Sequence, residues 1–272
     1  MTGMSESSAK AALVTGGAHR IGQAIVEALA AKSFAVAIHC HRSEREAHLL
    51  AERLSLNGAS AHVIKADLSD SLAVAGLVAA AEGAVGKLHL LVNNAAIFEE
   101  DDIRKLDAET FDRQITVNLR APLLLSRDFA VRAPASARPS IVNILDQRVL
   151  KPDPRCFSYA LAKSALWFAT RTMAQAFAPK IRVNAVAPGP TFPNPHEGDE
   201  GVLREAAATL LGERVRPEAI GAAVLYLSEA QHVTGQIIAV DSGQHLGWRT
   251  PDIVANMAEP ALGNNDDPWR KG

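Results

Sequence analysis

Short, uninterrupted apolar runs alternate along this chain with longer segments in which apolar residues recur at helical spacing. The apolar runs fall at residues 11–14, 35–39, 61–65, 88–92, 141–145, 181–186 and 236–240. The amphipathic segments between them predict helices over about 22–32, 44–57, 71–86, 108–130, 158–178 and 218–228. Continuous apolar strands, as opposed to alternating ones, point to a sheet covered on both faces. Strands separated by helices imply right-handed crossovers, so the expected fold is α/β, a Rossmann-type doubly wound parallel sheet of about seven strands. The rhythm is unbroken and leaves no room for a linker, which makes 10–250 one domain. Residues 1–9 read as a flexible N-terminus, 188–215 as a substrate loop region and 251–272 as a C-terminal tail.

Composition narrows the class. With 28 basic against 30 acidic residues there is no basic surface for nucleic acid or an anionic membrane. No apolar run approaches a membrane span, and the polar start "MTGMSESSAK" lacks a secretory pattern, so the expectation is a cytoplasmic protein acting on a small molecule. Cys40 and Cys156 stand far apart, without metal-ligand spacing, and read as idle thiols with no metal site.

The first strand runs into "TGGAHRIG" and then directly into a helix. Glycines at such a turn let the backbone approach a pyrophosphate lying against the helix N-terminus. This makes Gly16, His19, Arg20, Ile21 and Gly22 candidate cofactor contacts, with Arg20 standing where a middle glycine is usual. Its guanidinium is expected to hold the pyrophosphate or to reach the substrate. After the second strand comes "HCHRS", with no acid before Glu44. An acid there would bind a ribose 2′-hydroxyl; His41, Arg42 and Ser43 instead suit a 2′-phosphate, favouring NADP(H). Asp67 and Leu68 after the third strand are placed to meet the adenine, and Asn94, Ala95 and Ala96 after the fourth to pass close to the cofactor.

The stretch "IVNILDQRVLKPDPRCFSYALAK" ends a core strand on Asp146 and leads to Tyr159 and Lys163, one helical turn apart on one face. A tyrosine with a free pKa of about 10 is a poor acid, and a neighbouring ammonium is expected to lower that value. The pair suits proton donation during hydride transfer from a nicotinamide. Asn118, in "VNLRAP", is the candidate amide that bends the preceding helix and carries a water toward the lysine.

Over roughly residues 10–247 the chain resembles the short-chain dehydrogenase/reductase family through "TGGAHRIG", "NNAA", "VNLRAP", "YALAK" and "IRVNAVAPGP". The resemblance implies a homotetramer, catalytic roles for Asn118, Tyr159 and Lys163, and Pro188, Gly189 and Thr191 beside the nicotinamide. Asp146 departs from the usual serine. Within the family this acid resembles the pteridine reductase and dihydromonapterin reductase branch, as do Arg20, His41-Arg42-Ser43 and the aromatic Phe98 after "NNAA"; a ligand-contacting serine of that branch is Ala96 here. The resemblance implies a pterin stacked on Phe98 and bound by Arg20, with Asp146, Tyr159 and Lys163 forming a proton relay. Two other readings stay open: a carbonyl or 3-oxoacyl reductase that tolerates Asp146, and a non-catalytic NADP(H)-sensing module. The polar, stiff segment at 193–197 suits a hydrogen-bonding heterocycle better than an acyl chain.

Overall fold

All seven apolar runs become strands of one parallel sheet: β1 Ala11–Val14, β2 Ala35–Cys40, β3 Ala61–Lys65, β4 Leu88–Asn93, β5 Ser140–Ile144, β6 Arg182–Pro188 and β7 Ile237–Val240. Their order is β3-β2-β1-β4-β5-β6-β7, so the chain winds outward in two directions from β1 and β4. The crevice beyond the carboxyl ends of these two strands is the switch point at which such sheets bind ligands. The computed structural model describes residues 10–134, 138–193, 198–248, 250 and 253. The expectations placed on 1–9, on 194–197 and, Ile253 apart, on the tail from 251 lie outside these residues.

Helices α1 Arg20–Ala30, α2 Glu44–Leu56 and α8 Pro217–Glu229 cover one face of the sheet. They bury Leu29, Leu50, Leu54, Ile220 and Val224 against strand residues such as Val36 and Val142. On the other face, α3 Ser71–Val85, α5 Ala121–Arg132 and α6 Phe157–Phe177 bury Leu77, Leu125, Phe129 and Ala174. A fully buried leucine contributes roughly 1.5–3 kcal/mol, so these two layers hold the strand ends in register. β1, β2, β5 and β6 are buried throughout, as their apolar runs require, whereas the edge strands β3 and β7 are only partly covered. Arg182 at the start of β6 donates to the carbonyls of Leu227 and Ser228, at 2.7 Å each, and so closes the C-terminal end of α8.

Two expectations change. The single helix expected over 108–130 is α4 Ala108–Ile115, a π-helical turn Thr116–Arg120, and α5. Ala121 N donates to Thr116 O, five residues back, and Pro122 has no N–H to offer the carbonyl four residues before it. The substrate loop region also contains a helix, α7 Gly198–Ala207. Two glycines disguise it in the sequence, but Asp199 and Glu200 suit its first turn, and Val202 and Ala206 are buried on one face.

Candidate active site

The turn from β1 into α1 forms the floor of the crevice. Gly16 takes φ +61°, and a Cβ there would lie 2.9 Å from Ala95 Cα; a Cβ on Gly22 would lie 2.0 Å from the Gly16 carbonyl oxygen. These glycines let the turn, the start of α1 and the β4 loop lie against one another. Asn94 pins the same junction, donating from Nδ2 to Thr15 O at 2.8 Å and Gly16 O at 3.0 Å. His39, which sequence reasoning passed over, pins it from below. Its Nδ1 accepts from Gly16 N at 3.1 Å and its Nε2 faces Ala66 O at 3.1 Å. Burial lowers this imidazole to about 4, so it is neutral and its proton sits on Nε2.

Above this floor lies a cleft of about 780 Å³. It is lined by Gly16, His19, Arg20, Ile21, Gly22, His41, Arg42, Ser43, Asp67, Leu68, Asn94, Ala95, Ala96 and Tyr159, which brings the expected cofactor contacts of the first four strand ends together. His19 at the start of α1 makes no side-chain capping bond and no acid lies in the first turn, so the first amides of α1 are uncapped by side chains. At the other end, Ser43 likewise makes no capping bond to α2. His41 Nε2 stands 3.6 Å from Asp67 Oδ2, while Asp67 Oδ1 accepts from Ser69 N at 2.9 Å; that backbone bond is the main reason its carboxyl lies below the usual range. The cleft therefore fits an elongated anion with one phosphate group at α1 and another near Arg42.

Arg20 occupies the left-handed region, φ +55°, which explains why glycine is usual there. Its guanidinium lies over the Phe192 ring at 5.0 Å and donates to Pro193 O at 3.2 Å. It lines both this cleft and a smaller adjoining pocket of about 370 Å³.

That pocket holds Asp146, Tyr159, Lys163, Phe98, Pro188, Gly189 and Thr191, together with Arg148, Phe192, Val202, Glu205 and Gln244, which the sequence did not single out. Tyr159 Oη donates to Asp146 Oδ2 at 3.3 Å, and the Tyr159 ring meets Phe98 edge-on at 5.0 Å between centroids. Lys163, 2% exposed, donates to the Ile144 carbonyl at 2.8 Å, with Nζ 5.7 Å from the Tyr159 ring centroid. The expected lowering of the tyrosine by this lysine does not prevail. Burial, and then Asp146, hold the Tyr159 hydroxyl well above its ordinary value, with Arg148 opposing them. Burial pushes the Lys163 ammonium down to about 8.

Two residues act from behind the pocket wall, the expected Asn118 and Asn143, which the sequence did not single out. Asn118 lies fully buried in the π-helical turn, its Oδ1 accepting from Ile97 N and its Nδ2 donating to Ile97 O, both at 2.9 Å. Its side chain thus holds the β4 loop and does not line the pocket. Asn143 of β5 links Asn93 of β4 at 2.8 Å to Thr170 of α6 at 2.9 Å, fixing the helix that carries Tyr159 against the sheet. Gly189 is needed for its own reason: a Cβ there would lie 2.5 Å from Asp241 Cα.

Comparison with known proteins agrees with this geometry. A family model described as Enoyl-(Acyl carrier protein) reductase matches residues 16–245. A short-chain type dehydrogenase/reductase of Picea abies is 31% identical over 249 residues, 86% of this chain and 92% of that protein. Versicolorin reductase 1 of Aspergillus parasiticus is 31% identical over 251 residues, covering 86% of this chain and 95% of its own. Among solved structures, FolM alternative dihydrofolate reductase 1 from Brucella canis, complexed with NADP, is 47% identical with a TM-score of 0.87; the match covers 90% of this chain and 98% of that one. The chain belongs to the short-chain dehydrogenase/reductase family of oxidoreductases, which use a nicotinamide cofactor.

Proposed function

We propose that this protein is an NADPH-dependent reductase of a pterin, taking a dihydropterin to the tetrahydro form, with dihydrofolate as a second candidate substrate. The observation that carries the reading is the bond from Tyr159 to Asp146 at the end of β5, where an acid would hinder an ordinary ketone site. The similarity to a FolM alternative dihydrofolate reductase complexed with NADP supports both substrate class and cofactor. The first-turn amides of α1 hold the pyrophosphate, and Arg42 with Ser43 holds the 2′-phosphate. When bound, NADPH supplies the hydride. Tyr159, kept protonated by burial and by Asp146, gives its proton to the ring nitrogen next to the carbon that is reduced. Asp146 orients that hydroxyl beforehand and returns a proton to it from solvent afterwards. Asp146 acts on both Tyr159 and Lys163, so the relay is a property of the three together. Phe98 stacks on the pterin, and Arg20 binds its oxygen-bearing edge.

A carbonyl reductase reading has one finding in its favour, the similarity to versicolorin reductase 1. NADPH oxidation followed in parallel with dihydropterins, dihydrofolate and simple ketones separates the two. The expected outcome is turnover of the dihydropterins, reduced about 100-fold or more in Asp146→Ser, with NADPH affinity nearly unchanged. Full activity in that variant, or a preference for ketones, would sink the pterin assignment.

A further inference from the structure

Arg148 follows Asp146 by two residues, yet it is no surface charge. Its side chain is 19% exposed and that of Asp146 16%. Its main-chain N donates to Asp146 Oδ1 at 2.8 Å, and Nη1 lies 3.3 Å from Oδ2. Its Nη2 stands 3.7 Å from Oε1 of Glu205 on α7, the helix whose Val202 lines the same pocket. The guanidinium also lies over the Phe98 ring at 5.9 Å. One largely covered cation therefore stands beside the acid, the aromatic wall and the helix next to the substrate pocket.

We propose that Arg148 is a positioning residue that joins Asp146 to helix α7, fixing the carboxylate toward Tyr159 and the helix over the pocket as one unit. A carboxylate alone at the lip of a polar pocket has several rotamers and turns readily to water. Here one oxygen is held by the Arg148 main chain and both by its guanidinium, which leaves Oδ2 facing the tyrosine. The cation also offsets the negative charge beside the proton donor. Its own state agrees: burial is the largest single influence and would lower the guanidinium, but Asp146 together with Cys156, Glu205 and Tyr159 outweighs it and the net shift is upward. The catalytic part of this inference rests on the pterin reading above; the tie to α7 does not.

The test is hydrogen exchange of residues 198–207 in wild type, Arg148→Met, Arg148→Lys and Glu205→Gln, measured without substrate, together with NADPH affinity and the kcat and KM for dihydropterin. Exchange of α7 is expected to quicken about ten-fold in Arg148→Met and Glu205→Gln, with Arg148→Lys between them and wild type. In Arg148→Met, kcat falls about 30-fold or more while NADPH affinity holds; in Glu205→Gln the loss falls mainly in KM. Unchanged exchange of α7 in Glu205→Gln overturns the tie, even if Arg148→Met fails to fold. Equal loss of kcat and NADPH affinity in a folded Arg148→Met overturns the positioning role. A wild type inert toward dihydropterins would count against the pterin reading alone, since the exchange comparison still decides the tie.

Discussion

Replacing Lys163 with methionine should make the protein more stable while stopping its turnover. The ammonium is 2% exposed, and burial brings its pKa from 10.5 to about 8. A displacement of that size corresponds to about 3 kcal/mol against folding with the lysine charged, at about 1.4 kcal/mol per pH unit. Below pH 8 both the folded and unfolded chains hold the proton, and the folded state carries the full penalty. Between pH 8 and 10.5 the folded chain has lost a proton that the unfolded chain still binds, so wild-type stability rises with pH through this window. Methionine fills similar space without the charge but gives up the 2.8 Å bond to the Ile144 carbonyl, a loss of about 1–2 kcal/mol. The net expectation at neutral pH is a gain of about 1–2 kcal/mol, or about 2–6 °C in melting temperature. Thermal and urea unfolding by circular dichroism at several pH values between 7 and 10, with wild type and variant side by side, measures it; titrating groups remote from Lys163 cancel in the difference. The advantage should shrink as pH rises and vanish near pH 10. A variant that is less stable at neutral pH, or a difference that stays flat with pH, would refute the reasoning. Loss of turnover in a stabilised variant is the trade expected where a site keeps an unfavourable charge for its chemistry.

Two further outcomes follow from the cofactor cleft. If Arg42 holds the 2′-phosphate as proposed, Arg42→Gln should weaken NADPH binding about 10- to 100-fold and leave NADH almost unaffected, because one charge-assisted bond is removed; equal weakening of both in fluorescence titrations would assign Arg42 no part in the preference. Gly22→Ala and Gly83→Ala should differ in sign when their melting temperatures are compared. The first puts a Cβ 2.0 Å from the Gly16 carbonyl oxygen and should destabilise by about 1–3 kcal/mol with loss of NADPH binding, whereas the second meets nothing within 4 Å on the exposed side of α3 and should stabilise by up to about 1 kcal/mol.

The sheet was legible because its central strands are buried on both faces and its apolar runs are short and uninterrupted; β1, and even the partly covered edge strand β3, match the sequence boundaries to the residue. The cofactor turn was legible for a similar reason, since its residues are contiguous and its glycines have local steric causes. What stayed hidden depends on contacts between distant segments. His39 reads as one more residue of a buried strand until its Nδ1 is seen to accept from Gly16, 23 residues away. Arg148 reads as an ordinary loop charge until α7 brings Glu205 beside it. Asn118 lies in the π-helical turn, but no spacing could show that its amide spends both polar atoms on Ile97. Helix α7 was masked because glycine is the strongest local sign of a loop, and the apolar face that stabilises it acquires meaning only beside the pocket.

The backbone at Arg20 carries a consequence of its own. An L-residue held at φ +55° costs about 1–2 kcal/mol relative to the right-handed region, and glycine would relieve most of it. Local strain of this kind persists where the surrounding structure enforces it and the side chain repays it in use. Here Arg20 lines both cavities, as do Ile21, Asn94, Ala96, Phe98 and Tyr159, so the larger cleft and the smaller pocket share one wall. The two adjoin along that wall, and a ligand entering either one meets the same cation.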